Sequence, residues 1–120
     1  MKNVKGKVAF ITGAASGMGL GMARAFAAAG MKVMIADIEA APAKRAADEL
    51  TGKGYEAAWL QVDVTKLDQM HAAAKKTVET FGKVHILSNN AGVGVFGMCE
   101  TADMRNWHWV VDVNLWGVVH

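Results

Sequence analysis

The chain has 120 residues, of which 52% are apolar and 20% charged, and its formal net charge is +2. That length bounds it to one domain, and the apolar share is that of an ordinary globular core. Lysines and arginines are scattered among acids, so no basic patch points to nucleic acid, and no run of about 18 apolar residues points to a membrane span.

One cysteine, Cys99, excludes an internal disulfide and suits a reducing cytoplasm. Lys2, Lys5 and Lys7 ahead of the stretch Val8 to Ala23 superficially match a secretory leader. Gly13, Gly17, Gly19, Gly21 and Ser16 break that stretch, which is wrong for a leader helix. The expectation is a soluble, cytoplasmic protein.

Lys7 to Ile11 reads as a buried strand, and Leu20 to Ala29 as a helix closed by Gly30. Between them lies Thr12-Gly13-Ala14-Ala15-Ser16-Gly17-Met18-Gly19. A strand that breaks into a glycine-rich turn and opens a helix suits a phosphate. The helix end offers unpaired N–H groups and partial positive charge, and glycines let the backbone approach closely. The plain alternative is a glycine turn with no ligand. The spacing is G-x-x-x-G-x-G, not the usual G-x-G-x-x-G. Led by Thr12, it resembles the cofactor motif of the classical short-chain dehydrogenase/reductase family. The resemblance implies a dinucleotide held along Gly13, Ser16, Gly17, Met18 and Gly19.

Met31 to Ala36 reads as a second buried strand ending in Asp37. A carboxylate at that strand end can accept hydrogen bonds from the adenosine ribose hydroxyls, and its charge repels a 2′-phosphate. No Arg or Lys follows at Ile38 or lies among Ala14, Ala15 and Ser16, so the adenosine site at Asp37 and Ile38 favours NAD(H) over NADP(H). The competing reading of Asp37 is a helix cap. A helix from Ala40 to Leu50 follows, with Pro42 in the tolerated first turn and Lys44, Arg45, Asp48 and Glu49 as its solvated face.

Glu56 to Val62 reads as a third strand that ends in Asp63-Val64. In the family resembled, an acid here bonds the adenine amino group with help from the next residue's backbone; an Asp capping the next helix is the alternative. A third helix, Leu67 to Phe81, places Leu67, Met70, Ala74, Val78 and Phe81 on one face. His71 has no partner at metal-ligand spacing and reads as a surface residue; no metal site is expected.

Val84 to Ser88 reads as a fourth strand, followed by Asn89-Asn90-Ala91-Gly92. This is a second resemblance to the short-chain dehydrogenases. Small residues let a ribose lie near the backbone, and Asn side chains can tie the strand end to neighbouring loops. An Asn-Gly turn alone would not explain its place after a βαβαβαβ pattern. A last helix, capped by Asp103 or Thr101, carries Trp107, Trp109, Val110, Val113 and Trp116, which read as core and subunit-packing residues. Asn114 matches the family's active-site asparagine, which interrupts this helix and holds a water of the proton relay.

The expected fold is α/β, the N-terminal half of a Rossmann-type doubly wound parallel sheet, in the order 3-2-1-4. Residues 1–120 are read as one dinucleotide-binding domain, incomplete at its C-terminus. The implied activity is hydride transfer between NAD(H) and a secondary alcohol or ketone, the small-molecule partner of the chain. The family's Tyr-x-x-x-Lys is absent: the single tyrosine, Tyr55, has Trp59 four places on. The 120 residues alone are therefore expected to be inactive, and a non-catalytic cofactor-binding half or assembly fragment stays open. An uncovered fourth strand and last helix would favour a homo-oligomer or a second chain.

Overall fold

A computed structural model describes residues 3–120, so Lys2, one of the three lysines weighed as a leader signal, lies outside the described residues. Four strands form one parallel sheet: β1 (Val8–Thr12), β2 (Lys32–Asp37), β3 (Ala57–Gln61) and β4 (Ile86–Ser88). Their order is β3-β2-β1-β4, as expected from the alternation of strands and helices. The crossovers are α1 (Gly17–Ala28), α2 (Ala40–Gly52) and α3 (Leu67–Phe81).

β1 and the interior of β2 are buried on both faces, which is why they read as unbroken apolar runs. Successive side chains alternate between two cores. Ala9, Ile11, Val33 and Ile35 pack against Ala23 and Ala27 of α1 and Ala43, Ala47 and Leu50 of α2. Phe10, Met34 and Ala36 face the other way, toward Val62 and toward Met70 and Ala73 of α3. Alanines on α1 and α2 let both helices lie close to the sheet.

The helical face of α3 differs from the expected one. Met70, Ala73 and Thr77 are buried, whereas Leu67 and Val78 are exposed. Thr77 can be buried because its hydroxyl donates to the Ala73 carbonyl at 2.7 Å, so no polar group is stranded.

β4 starts at Ile86 rather than Val84, and His85 explains why. The Val8 N–H donates to His85 Nδ1 at 3.0 Å, a side chain taking the place of a ladder carbonyl. The His85 N–H in turn donates to the Val8 carbonyl at 2.9 Å. Burial, then the charges of Lys7 and Lys83, hold the His85 imidazole below its usual pKa. A folded-state value below the unfolded one makes this contribution complete above about pH 6.5 and lost as pH falls through the folded value. We expect thermal stability to drop between pH 7 and pH 5, and the His85→Gln variant to flatten that stretch of the profile. An equal slope in the variant would remove His85 as its cause.

After β4 the chain runs through a 3-10 turn (Cys99–Thr101) into α4 (Met104–Val111), a π turn (Asp112–Trp116) and α5 (Gly117–Val119). Asp103 is the cap: its carboxylate accepts from the Arg105 N–H at 2.8 Å. The tryptophans here are not core residues. Trp107, Trp109 and Trp116 are each about half exposed and α4 buries none of its residues. Leu87 on the edge strand β4 is exposed as well. Among the described residues, no helix is long and apolar enough to cross a membrane.

Candidate functional site

The carboxyl ends of β1, β2, β3 and β4 surround a cleft of about 410 Å3, the size range of small-molecule sites. Twelve of the thirteen residues expected to hold a cofactor line it: Gly13, Ser16, Gly17, Met18, Gly19, Asp37, Ile38, Asp63, Val64, Asn90, Ala91 and Gly92. Asn89 does not; its side chain is exposed outside the cleft, because successive residues at a strand end point to opposite sides.

The glycine turn is built by contact as well as by φ. Gly13 takes φ +64° and Gly17 +53°, backbone that a side chain rarely adopts. A Cβ on Gly13 would approach Ala91 Cα to 2.9 Å. One on Gly19 would meet the Gly13 carbonyl oxygen and come within 2.6 Å of Asn90 Nδ2. This packing draws α1 forward to start at Gly17, three residues before the expected Leu20. Ser16, the N-cap, makes no side-chain cap, and the first turn carries no acid. The N–H groups of Gly17, Met18 and Gly19 therefore open toward the cleft with the positive end of the helix behind them. A Cβ at Gly17 would touch nothing, so there is open space in front of the turn.

Asp37 is not the N-cap of α2, which is Glu39, and its carboxylate bonds nearby backbone instead. Oδ2 accepts from the Ala15 N–H at 3.0 Å and Oδ1 from the Glu39 N–H at 3.1 Å, so it ties the glycine turn to the start of α2. It also lines the cleft, where no Lys or Arg joins it among the described residues. Asp63 is similar: Oδ1 accepts from the Thr65 N–H and hydroxyl at 2.9 and 2.8 Å, a local turn that leaves Oδ2 free. Its own N–H donates to Gln69 Oε1 at 2.8 Å.

Asn90 acts as the tie expected of it. Nδ2 donates to the Thr12 and Gly13 carbonyls at 3.0 and 3.1 Å. Thr12, not singled out as a site residue, completes the joint. Its buried hydroxyl oxygen accepts from the N–H groups of Asn90 and Ala91, both at 3.0 Å. The available signal was a lone hydroxyl at the end of an otherwise apolar strand.

A sequence profile described as short chain dehydrogenase matches residues 7–120. The chain belongs to that family. It is 39% identical over 121 residues to the C alpha-dehydrogenase of Sphingobium sp. (strain NBRC 103272 / SYK-6), covering 100% of this chain and 40% of that protein. The galactitol 2-dehydrogenase of Agrobacterium fabrum (strain C58 / ATCC 33970) is 44% identical over 111 residues, 92% of this chain and 42% of that one. Among solved structures, a short chain dehydrogenase/reductase from Burkholderia phymatum in complex with NAD superposes with a TM-score of 0.97 at 42% identity. That match covers 100% of this chain and 43% of the other. The chain thus spans about two fifths of the length of these proteins.

Asn114 sits in the π turn, where the Gly117 N–H reaches back to the Asp112 carbonyl. Its side chain clamps the loop after β4: Oδ1 accepts from the Val93 N–H and Nδ2 donates to the Val93 carbonyl, both at 2.8 Å. The side chain is thereby engaged on protein, and π turns of this kind recur at functional positions. Val93, Trp109 and Val113 also line the cleft, unforeseen because helix faces and loop paths are set by packing, not by local pattern.

Proposed function

We propose that residues 1–120 form the NAD(H)-binding Rossmann unit of a short-chain dehydrogenase that moves hydride between the cofactor and a secondary alcohol or ketone. The observation that carries this is Asp37 at the wall of the cleft, with no Lys or Arg there to receive a 2′-phosphate. The residues present fit such a group: an uncapped helix start, a glycine turn with open space in front, and carboxylates at the ends of β2 and β3. When bound, a nicotinamide dinucleotide supplies the hydride acceptor or donor.

The N–H groups of Gly17 to Gly19 meet the pyrophosphate, and Gly13 and Ser16 shape the approach. Asp37 accepts from the adenosine ribose beside Ile38. Asp63 and Val64 would hold the adenine end. Asn90, Ala91 and Gly92 give the second ribose a close backbone, with Asn89 behind them. Asn114 would support the proton relay by fixing the Val93 loop. The 120 residues hold no Tyr-x-x-x-Lys, so they bind cofactor but do not turn over alone. Half-exposed Trp107 and Trp116, outside the cleft, favour a homo-oligomer or a second chain. Unpaired, exposed Cys99 fits a reducing cytoplasm.

The test is Asp37→Ser. Hydrogen bonds to a charged group are worth about 1.5–3 kcal/mol, so the NADH preference should fall roughly tenfold or more in the variant. The ratio of NADH to NADPH dissociation constants is the readout, because any general loosening of the fold cancels in it. An unchanged ratio would remove Asp37 as the discriminator.

A further inference from the structure

We infer that Trp109 is an adenine-stacking residue, forming the outer wall of the nucleotide cleft; the inference rests on the NAD(H) reading above. Trp109 lines the cleft, and so does Val113 one helical turn on. Val113 packs in the same core cluster as Val64 and Ala91. Further along, a Cβ on Gly117 would come within 2.7 Å of Val64 Cγ2, and His120 Nδ1 lies 2.9 Å from the Val64 carbonyl. This helical segment therefore runs along the Asp63–Val64 bank, the adenosine side, and carries Trp109 out above it.

The other tryptophans have different surroundings. Trp59 is on β3, Trp107 lines a separate hollow with Phe96 and Met98, and Trp116 stacks on the His120 ring at 6.4 Å. Trp109 alone among them faces the cleft, and 47% of it is exposed. A large apolar ring half in water at the lip of a polar cleft gains by covering a flat heteroaromatic ring, as aromatic side chains do beneath nucleobases. A phosphate or ribose would offer it no such face.

The test uses the full chain with ADP-ribose, which carries adenine but no nicotinamide, and with nicotinamide mononucleotide, which carries the reverse. ADP-ribose should bind by calorimetry and quench intrinsic fluorescence, and nicotinamide mononucleotide should not quench. Trp109→Ala should weaken ADP-ribose roughly tenfold, while Trp109→Phe, which keeps a ring, should stay within about threefold and lose the quench. Because Trp109 is not buried, both variants should keep the wild-type melting temperature. Wild-type affinity in Trp109→Ala, or quenching by nicotinamide mononucleotide alone, would overturn the inference and leave the NAD(H) reading standing. No binding of ADP-ribose to the wild type would overturn both.

Discussion

Thr12→Val should destabilise the chain by about 1–3 kcal/mol, although it changes one oxygen for a methyl of similar size. Thr12 is 2% exposed, and its hydroxyl oxygen accepts from two backbone N–H groups, those of Asn90 and Ala91. Valine leaves the Ala91 N–H without an acceptor, at about 1–3 kcal/mol for a group left unmet, whereas the Asn90 N–H keeps the Ser88 carbonyl at 3.0 Å. Its own hydroxyl proton contributes little, because the contact with the Ser88 carbonyl is long at 3.4 Å. In a domain of this size that cost corresponds to a fall in Tm on the order of 10 °C. Thr12→Ser keeps the oxygen and loses only a methyl, so it should cost about 1 kcal/mol. Equal melting temperatures for the two variants would show that packing, not the double acceptor, sets the role of Thr12. The cleft is affected too, since the joint Thr12 secures fixes Asn90 and Ala91 against the glycine turn.

Gly19→Ala should both strain the fold and abolish tight cofactor binding. Its methyl would be driven into the Gly13 carbonyl oxygen, with Asn90 Nδ2 at 2.6 Å and the Gly13 carbonyl carbon at 2.8 Å. Backbone cannot swing aside as a flexible side chain can, so α1 must back away from the turn. Overpacking of this kind costs about 1–3 kcal/mol, and the displaced N–H groups should lower NADH affinity by at least about tenfold. Gly21→Ala is the internal control. A Cβ at Gly21 meets nothing within 4 Å, and alanine in a helix interior is favoured over glycine by roughly 0.5–1 kcal/mol. The pair should therefore move in opposite directions in a thermal melt and differ in NADH titration. If Gly19→Ala melted and bound like wild type, the close approach of α1 to the turn would not be a requirement of the site.

The parallel sheet and its order were legible because β1 and β2 are apolar runs with helices between them, a pattern that fits a sheet covered on both faces. The cleft was legible from residues whose job is backbone shape or charge at a strand end: Gly13, Gly17, Gly19, Asp37 and Asp63. What the pattern did not reveal depends on which way a side chain turns. Thr77 reads as polar yet is buried through a bond to its own helix, while Val78 reads as core yet is exposed. Trp107, Trp109 and Trp116 look like core residues from their chemistry, but all three are half exposed and each faces a different neighbour. The short β4 likewise follows from one imidazole replacing a carbonyl, an exchange no periodicity signals.

Fluorescence titration of the 120-residue chain with NADH and, in parallel, with NADPH tests whether the cleft over the glycine turn is an NAD(H) site. NADH should bind saturably and at least about tenfold more tightly than NADPH. No saturable binding of NADH, or tighter binding of NADPH, would contradict an NAD(H) site there.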